Sequence, residues 1–232
     1  MAKTSKSEGN PNGEVNQHAD ISVSTVMSEQ DKAALVKINA LSDQALKQCG
    51  ETIPAGTETF RLQHGSHGGS SVFFNQNGPD CRYNLEDGNT GTMYVALAPI
   101  TALKEVFQNK IALTETDLEE YRMGKVEIER ECKVLDMKQL ITRSSVTLHD
   151  VTTSRRTVTQ ELARKTHAAG FDGIKFPSNV TGDDCLALWH PEPSGVGIAI
   201  TREQTRLSEF ELNGREAADI LVDDLNISVE EG

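Results

Sequence analysis

The sequence predicts an α+β fold in which short strands are mixed with short helices. Its 232 residues are enough for one domain with appendages or for two small domains. Hydrophobic residues make up 37% and charged residues 25%, as is typical of a globular protein. The strand-like segments do not alternate strictly with helices, as a doubly wound parallel sheet requires, and this favours α+β. We find no internal repeats.

The N-terminal part divides into two predicted segments. Residues 1–27 are rich in Ser, Asn, Gly, Lys and Glu and have no regular apolar spacing, which predicts a disordered segment. Residues 28–55 are predicted to be a helical extension. Ser28 is a suitable N-cap, and apolar residues then recur at helical spacing over 29–47. The apolar face of this helix either packs on the main domain, 56–232, or holds a partner.

The main domain shows a succession of start and stop signals. Pro99 suits the first turn of a helix, the run Thr116 to Glu119 imitates a capping box, and Gly170 suits a left-handed C-cap. A polar loop, 64–79, is a candidate lid. The predicted strands are 59–62, 93–97, 125–135, 173–176 and 185–189, with 196–202 and 206–212 as an edge hairpin. The predicted helices are 99–109, 116–123, 156–169 and, as an acidic C-terminal helix, 214–225.

The charge balance restricts the partners of the protein. Lys plus Arg is 23 and Asp plus Glu is 35, a formal net charge of −12. Such an acidic surface argues against direct nucleic-acid binding and against an anionic membrane face. A small anionic ligand is still compatible with a local group of arginines. No apolar run reaches about 18 residues, and the first 26 residues lack the apolar core of a secretory signal. We therefore expect a cytoplasmic protein.

Familiar catalytic and metal-binding motifs are absent from the sequence. The four cysteines are separated by gaps of 32, 51 and 53 residues, so no CxxC pair is present and we expect reduced thiols. His64 and His67 are the only close histidines, and without a nearby third ligand they do not predict a metal site. The sequence has no P-loop, no dinucleotide fingerprint after a strand, no GxSxG elbow and no HExxH.

Five short segments nevertheless form a pattern. Taken alone, their polar residues also have ordinary structural interpretations: Tyr94 suits a core, Glu105 a solvated helix and Ser178 a turn. Their order and setting are more informative than any one of them. In chain order the segments are Phe60-Arg61, Arg82-Tyr83-Asn84, Met93-Tyr94-Val95-Ala96, Ala102-Leu103-Lys104-Glu105-Val106, and the run from Gly170 to Ser178 that reads GFDGIKFPS.

This pattern resembles the RES domain family, which is named for its Arg, Glu and Ser. The family has an aromatic residue with Arg, an Arg-aromatic-Asn element, a Tyr strand, an Ala-Leu-x-Glu helix and a Gly-x-Asp-Gly strand ending in Pro-Ser. The resemblance covers about 58–212. It implies an ADP-ribosyltransferase-like fold, a split antiparallel sheet around an NAD cleft with peripheral helices. It also implies a toxin of a toxin–antitoxin pair that degrades NAD.

The resemblance also implies residues that line the NAD pocket, and their chemistry suits cleavage of the nicotinamide–ribose bond. Glu105 can oppose the positive charge that develops on the ribose. Tyr94 offers a flat face to the nicotinamide ring. Arg61 and Arg82 can clamp the diphosphate or seat inorganic phosphate. Ser178 adds a hydroxyl group. Weaker candidates for cofactor binding are Asn84 and Asn179.

Several alternatives stay open at the level of sequence. The acceptor of the ADP-ribose is phosphate, water or a protein side chain, so the enzyme is an NAD phosphorylase, an NAD glycohydrolase or, as the second choice, a protein mono-ADP-ribosyltransferase. A non-catalytic module that binds nucleotide or a partner is a third reading. By resemblance, the expected protein partner is a helix-turn-helix antitoxin. The sequence decides neither the oligomeric state nor the role of 1–55, and it implies no metal.

Overall fold

The structure, a computed structural model, describes residues 27–76 and 81–231 and confirms an α+β chain. Nearly all of the predicted disordered segment, 1–27, lies outside the described residues. The strands are β1 Gly50–Ile53, β2 Glu58–His64, β3 Gly91–Ala96, β4 Ala112–Thr114, β5 Tyr121–Ile128, β6 Cys132–Asp136, β7 Gly173–Pro177, β8 Asp184–His190, β9 Ala199–Arg206, β10 Glu211–Leu212, β11 Arg215–Glu216 and β12 Ser228–Glu230. The helices are α1 Glu29–Ala40, α2 Asp43–Gln48, α3 Pro99–Phe107, α4 Glu115–Glu120, α5 Met137–Arg143, α6 Leu148–Thr152, α7 Arg156–Ala168 and α8 Ala217–Asp223. Two 3₁₀ turns occupy His67–Gly69 and Leu207–Glu209.

One large curled sheet organises the described part of the chain. Its eight strands follow the order β1-β6-β7-β8-β3-β2-β5-β9. All neighbours in this sheet are antiparallel except β6 and β7, which are parallel. Two small pairs lie outside it, β10 with β11 and the parallel pair β12 with β4. Because the helices segregate from the mainly antiparallel strands, the fold class is α+β, as predicted.

The two faces of the large sheet bury separate apolar cores. The first core lies under the helices and includes residues of α1, α2, α3, α5, α7 and α8. The second core is made by the strands themselves and by the segment 71–76, which contributes Val72 and Phe74. Gly91 and Gly124 allow this segment to lie directly on the sheet, since an added Cβ would come within 2.3 Å of the Phe74 carbonyl oxygen and 2.0 Å of Ser71 Oγ. Residues 71–76 of the predicted polar loop are therefore anchored and do not form a free lid.

The N-terminal extension packs on its own domain. Ala34 and Ile38 of α1 are buried in the first core, and α1 and α2 contact α7. Lys37 Nζ lies 2.8 Å from Asp150 Oδ2. Although burial opposes ionisation, hydrogen bonds from Lys37 and Thr147 hold the pKa of Asp150 below its ordinary value. Strand β1 adds an edge to the large sheet by pairing with β6. The apolar face of the extension is thus covered without a partner.

Several predicted elements need correction. The single helix over 29–47 is two helices, because Leu41 is extended and Ser42 caps α2 by accepting a hydrogen bond from Ala45 N. The capping box belongs to Thr114 and Asp117, so α4 begins earlier than predicted. The strand over 125–135 is two strands, β5 and β6, separated by a turn.

At the C-terminal end, the predicted edge hairpin and helix also differ from the structure. Only β9 joins the large sheet, where it pairs with β5, and the chain then makes a 3₁₀ turn instead of returning as a partner strand. The predicted helix 214–225 is shortened to α8, because the residues before it form β11. The N-cap Ser28, the N1 position of Pro99 and the left-handed Gly170, with φ +87°, are confirmed.

Removing apolar atoms from α1 is expected to destabilise the whole domain. Ile38 is fully buried, so Ile38→Ala should lower the free energy of unfolding by about 2–4 kcal/mol through lost burial and a residual cavity. Val36, on the same helix, is 70% exposed, and Val36→Ala should change it by less than about 0.5 kcal/mol. Urea denaturation followed by circular dichroism measures both. Equal midpoints for Ile38→Ala and the wild type would contradict the packing of α1.

Candidate active site

A fork in the large sheet creates the candidate site. Strands β2 and β3 pair through a single register position, Phe60 opposite Ala96. Beyond it, the segment 71–76 replaces β2 as the neighbour of β3, and Asn75 and Thr92 exchange two backbone hydrogen bonds of 3.2 and 3.1 Å. A cavity of about 190 Å³ opens where the two strands separate. It is lined by Phe60, Arg61, Leu62, Tyr94, Val95, Ala96, Ala102, Glu105, Val106, Phe176 and Cys185. We call it the fork cavity.

Helix α3 brings Glu105 to the fork cavity. The helix begins at Pro99, close behind the end of β3, so the short connection fixes its start against the fork. Ala102, Glu105 and Val106 follow at spacings of three and four residues and therefore share one helix face, which lines the cavity. Glu105 Oε1 is buried and has no hydrogen-bond partner among the described residues. A buried carboxylate oxygen without a partner is costly, and such an atom suits a ligand that donates a hydrogen bond.

Tyr94 turns its ring to the cavity, and its hydroxyl is held by the protein. Tyr94 Oη accepts a hydrogen bond from Tyr83 N at 2.9 Å and donates to Asn84 Oδ1 at 3.2 Å. Burial raises the pKa of Tyr94 above its ordinary value, so the side chain is a neutral phenol at physiological pH. Asn84 is buried and binds Tyr94, and it is not among the residues that line the cavity.

The two arginines occupy different positions. Arg61 lies on the wall of the fork cavity, and its Nη1 donates to the carbonyl oxygens of Ser71 (3.1 Å) and Phe73 (3.3 Å). Burial lowers the pKa of Arg61 from its usual value, although guanidinium groups stay charged in proteins. Arg82 Cζ stacks 5.7 Å from the ring centroid of Phe176, which lines the cavity. Arg82 Nη1 is buried without a hydrogen-bond partner in the described ranges.

The charges of Arg82 and Glu105 both influence the ionisation of the Cys185 thiol. Burial is the main cause that raises the pKa of Cys185 to about 12. The Glu105 carboxylate also raises this pKa, whereas the Arg82 guanidinium lowers it. No salt bridge between Arg82 and Glu105 is present in the described part of the chain. A cationic and an anionic group, each with an unpartnered atom, thus lie near one cavity wall.

Ser178 and Asn179 lie in the turn after β7, outside the cavity lining. Ser178 is 4% exposed, and its Oγ accepts hydrogen bonds from Val180 N at 3.0 Å and Thr181 N at 3.1 Å. The hydroxyl therefore organises the turn between β7 and β8. Asn179 is exposed. Of the five predicted principal residues, the structure places Arg61, Tyr94 and Glu105 on the fork cavity, Arg82 beside it and Ser178 in the supporting turn.

A part-buried hydrogen bond connects this turn to α3. Thr101 is fully buried, and its Oγ1 donates to Asp183 Oδ2 at 2.9 Å. Thr101 precedes Glu105 by about one helical turn, so this bond fixes the part of α3 that carries the carboxylate. Sequence reasoning missed Thr101, and its spacing of four residues from Glu105 is the signal that could have found it. It also missed Phe176, whose position beside Pro177 at the end of a strand gave a weaker signal.

The described residues contain neither a metal-binding cluster nor a membrane-spanning helix. No group of three or more His, Cys, Asp or Glu side chains that could hold a metal ion is found there. No helix in those ranges is long and apolar enough to cross a membrane. The four cysteines, all among the described residues, form no disulfide bond with one another, and three of them are buried.

The fold and the fork cavity define an α+β protein with a split sheet. The family model "RES domain" matches residues 59–208, which is more than half of the chain, so the chain belongs to the RES domain family. A chain of the crystal structure of the M. tuberculosis MbcT-MbcA toxin-antitoxin complex is similar in fold, with a TM-score of 0.53 and 18% sequence identity. The match covers 70% of this chain and 90% of that chain. No curated protein matches the sequence at a significant level.

The bond between Thr101 and Asp183 should be measurable as a coupling energy. In a double-mutant cycle of Thr101→Val and Asp183→Ala, we expect a coupling of about 1 kcal/mol in the free energy of unfolding, because both variants remove the same hydrogen bond. The matched exposed pair is Arg202 and Glu127, whose coupling should be smaller, since solvent screens surface ion pairs. Additive effects of Thr101→Val and Asp183→Ala would contradict the bond.

Proposed function

We propose that the protein consumes NAD⁺ by cleaving the bond between nicotinamide and ribose in the fork cavity. The observation that carries this proposal is the pair of unpartnered buried atoms, Arg82 Nη1 and Glu105 Oε1, near one cavity wall. Neither atom has a hydrogen-bond partner among the described residues, and a ligand with anionic and hydroxyl groups would satisfy both. Membership of the RES domain family supports the choice of NAD⁺ as that ligand.

For this reaction the protein must position the ribose and stabilise the positive charge that develops on it. As the glycosidic C–N bond breaks, its electron pair leaves with nicotinamide, which departs as a neutral molecule. The ribose acquires oxocarbenium character, as in glycoside cleavage. The Glu105 carboxylate stabilises this positive charge and accepts hydrogen bonds from ribose hydroxyls. An oxygen of the acceptor then bonds to the anomeric carbon and the acceptor loses a proton.

Aromatic side chains around the cavity suit the leaving group. Tyr94, Phe60 and Phe176 line it, and the ring centroids of Tyr94 and Phe176 are 6.3 Å apart in an edge-to-face arrangement. Their faces provide flat apolar surfaces against which a nicotinamide ring can stack. Arg82 and Arg61 supply positive charge for the diphosphate in a chain whose net charge is −12. Asn84 accepts a hydrogen bond from the Tyr94 hydroxyl.

The same proposal includes a toxin–antitoxin role and the identity of the acceptor. The similar fold comes from a toxin–antitoxin complex, and we propose that this protein is a toxin whose activity a protein antitoxin neutralises. Inorganic phosphate is the proposed co-substrate of a phosphorylase, and water that of a glycohydrolase. Transfer to a protein side chain is the third route. All three routes begin with the same cleavage of the nicotinamide–ribose bond, so they differ only in the acceptor.

Phosphorus and proton NMR of NAD⁺ incubated with the purified protein tests the proposal. Nicotinamide release that requires inorganic phosphate, with a new sugar-phosphate signal, identifies a phosphorylase. Release without phosphate identifies hydrolysis, and ADP-ribose found on the protein by mass spectrometry identifies a transferase. Intact NAD⁺ with the wild-type protein, free of any antitoxin, would overturn the proposed function.

Replacing Glu105 should remove catalysis while the fold persists. Glu105→Gln keeps the size of the side chain and removes its charge, so we expect nicotinamide release to fall about 100-fold or more. Glu119→Gln makes the same change at an exposed position of α4 and should leave the rate unchanged. Nicotinamide release is followed by liquid chromatography, with circular dichroism as the control for folding. A rate within twofold of the wild type would exclude Glu105 from the mechanism.

Replacing Arg82 should weaken substrate binding. Arg82→Gln removes a charged donor, so we expect KM for NAD⁺ to rise about tenfold or more, in line with the value of a hydrogen bond to a charged group. Arg164 is the matched control, because it lies exposed on α7 and pairs with Glu161 at 2.6 Å. Arg164→Gln should leave KM unchanged. Steady-state kinetics measures both variants, and an unchanged KM for Arg82→Gln argues against its contact with NAD⁺.

A further inference from the structure

The fork cavity is too small to hold a whole dinucleotide. Its volume is about 190 Å³, whereas pockets for drug-sized ligands are typically about 300–1,000 Å³. The rest of the ligand must therefore occupy an adjoining space. Two other cavities share a wall residue with the fork cavity. One, of about 430 Å³, shares Arg61, and the other, of about 400 Å³, shares Phe60.

The two adjoining cavities differ in charge. The Arg61-side cavity is lined by Arg61, Gln63, His67, Ser70, Val72 and Phe73, a set without a carboxylate. The Phe60-side cavity has Glu203, Glu209 and Glu211 on its wall and one cation, Lys125. That ammonium group is already paired with Glu58 at 2.5 Å.

The charges decide which cavity suits a diphosphate. Even with Glu209 held by Arg206 at 3.4 Å, Glu203 and Glu211 leave the Phe60-side cavity with a surplus of negative charge. A diphosphate carries two negative charges and is repelled there. The Arg61-side cavity instead offers a guanidinium group at its junction with the fork cavity.

Phe73 provides a surface for an aromatic ring in the Arg61-side cavity. Its side chain is 50% exposed, whereas its neighbour Phe74 is fully buried in the second core. The backbone around it is held in place, because Arg61 Nη1 binds the carbonyl oxygens of Ser71 and Phe73, and Ser71 N donates to Thr201 Oγ1 at 2.8 Å. A half-exposed aromatic ring on an anchored backbone is a suitable stacking platform for a base.

We infer that the Arg61-side cavity is the subsite for the diphosphate–adenine end of the ligand, with the adenine ring stacked on Phe73. This inference rests on the proposed function and assigns a direction to the ligand. The nicotinamide ribose lies in the fork cavity beside Glu105, the diphosphate passes Arg61, and the adenine reaches the segment after β2. The Phe60-side cavity stays free of the dinucleotide.

Isothermal titration calorimetry with ADP-ribose tests the subsite without turnover. Phe73→Ala should weaken ADP-ribose binding about tenfold, which is within the range that one base–aromatic stack contributes. Phe210→Ala removes a partly buried aromatic ring from the Phe60-side cavity and should leave the dissociation constant unchanged. Nicotinamide mononucleotide lacks the adenosine half, so Phe73→Ala should not alter its dissociation constant. Thermal melts confirm that each variant is folded.

The outcomes separate this inference from the proposed function. Equal ADP-ribose binding by Phe73→Ala and the wild type, or a loss with Phe210→Ala instead, would overturn the subsite. Absence of ADP-ribose binding to the wild-type protein would overturn it as well, while nicotinamide release from NAD⁺ would still support the proposed function. Conversely, a tenfold loss with Phe73→Ala and no nicotinamide release from NAD⁺ by the wild type would leave a nucleotide-binding subsite in a protein without the proposed activity.

Discussion

The single pairing of Phe60 with Ala96 is the constraint on which the candidate site depends. If β2 and β3 stayed paired along their length, the sheet would be continuous and no cavity would open between them. Instead β2 pairs over seven residues with β5, β3 pairs over six with β8, and the segment 71–76 fills the far end of the gap. Residues of these two strands, which diverge from one point, therefore form part of the cavity wall, and α3, β7 and β8 supply the rest.

The surroundings of the fork hold its two sides in place. On one side, Arg61 binds backbone carbonyl groups of the segment 71–76, and Gly124 lets that segment approach β5 closely. On the other side, α3 is attached to the β7–β8 turn through Thr101 and Asp183. Four buried side-chain atoms of the described residues have no hydrogen-bond partner, on Arg82, Thr92, Glu105 and Asp184, and those of Arg82 and Glu105 lie near the fork cavity.

Much of the fold could be predicted from local sequence signals, and the fork could not. Pro99, Gly170 and the apolar periodicity of α7 act over a few residues, and the corresponding elements are present. The partner of β2 is β5, about 60 residues further along the chain, and no local pattern specifies that register. For the same reason Val72 and Phe74, flanked by Gly, Ser and Asn, fall within the predicted polar loop although they complete the second core.

The candidate site was predicted in part, for reasons that differ among its residues. Arg61 lies in β2, Tyr94 in β3 and Glu105 in α3, so the order of these elements along the chain helped to predict where the residues lie. Their roles stay predictions. Ser178 follows a proline at a strand end, where a hydroxyl serves a turn as readily as a ligand, and here it accepts two backbone hydrogen bonds. The sequence pattern cannot distinguish these two uses.

The residues that line the cavity are far apart in the sequence, and this determines when the cavity can form during synthesis of the chain. Phe60 and Cys185 both line the cavity, so the chain must be synthesised at least as far as Cys185 before the cavity can exist. Contacts between such distant positions form slowly, because the chain loses loop entropy before it gains them. Strand β9, which covers the outer edge of β5, is synthesised later still. A nascent chain that ends at β7 therefore lacks part of the cavity wall.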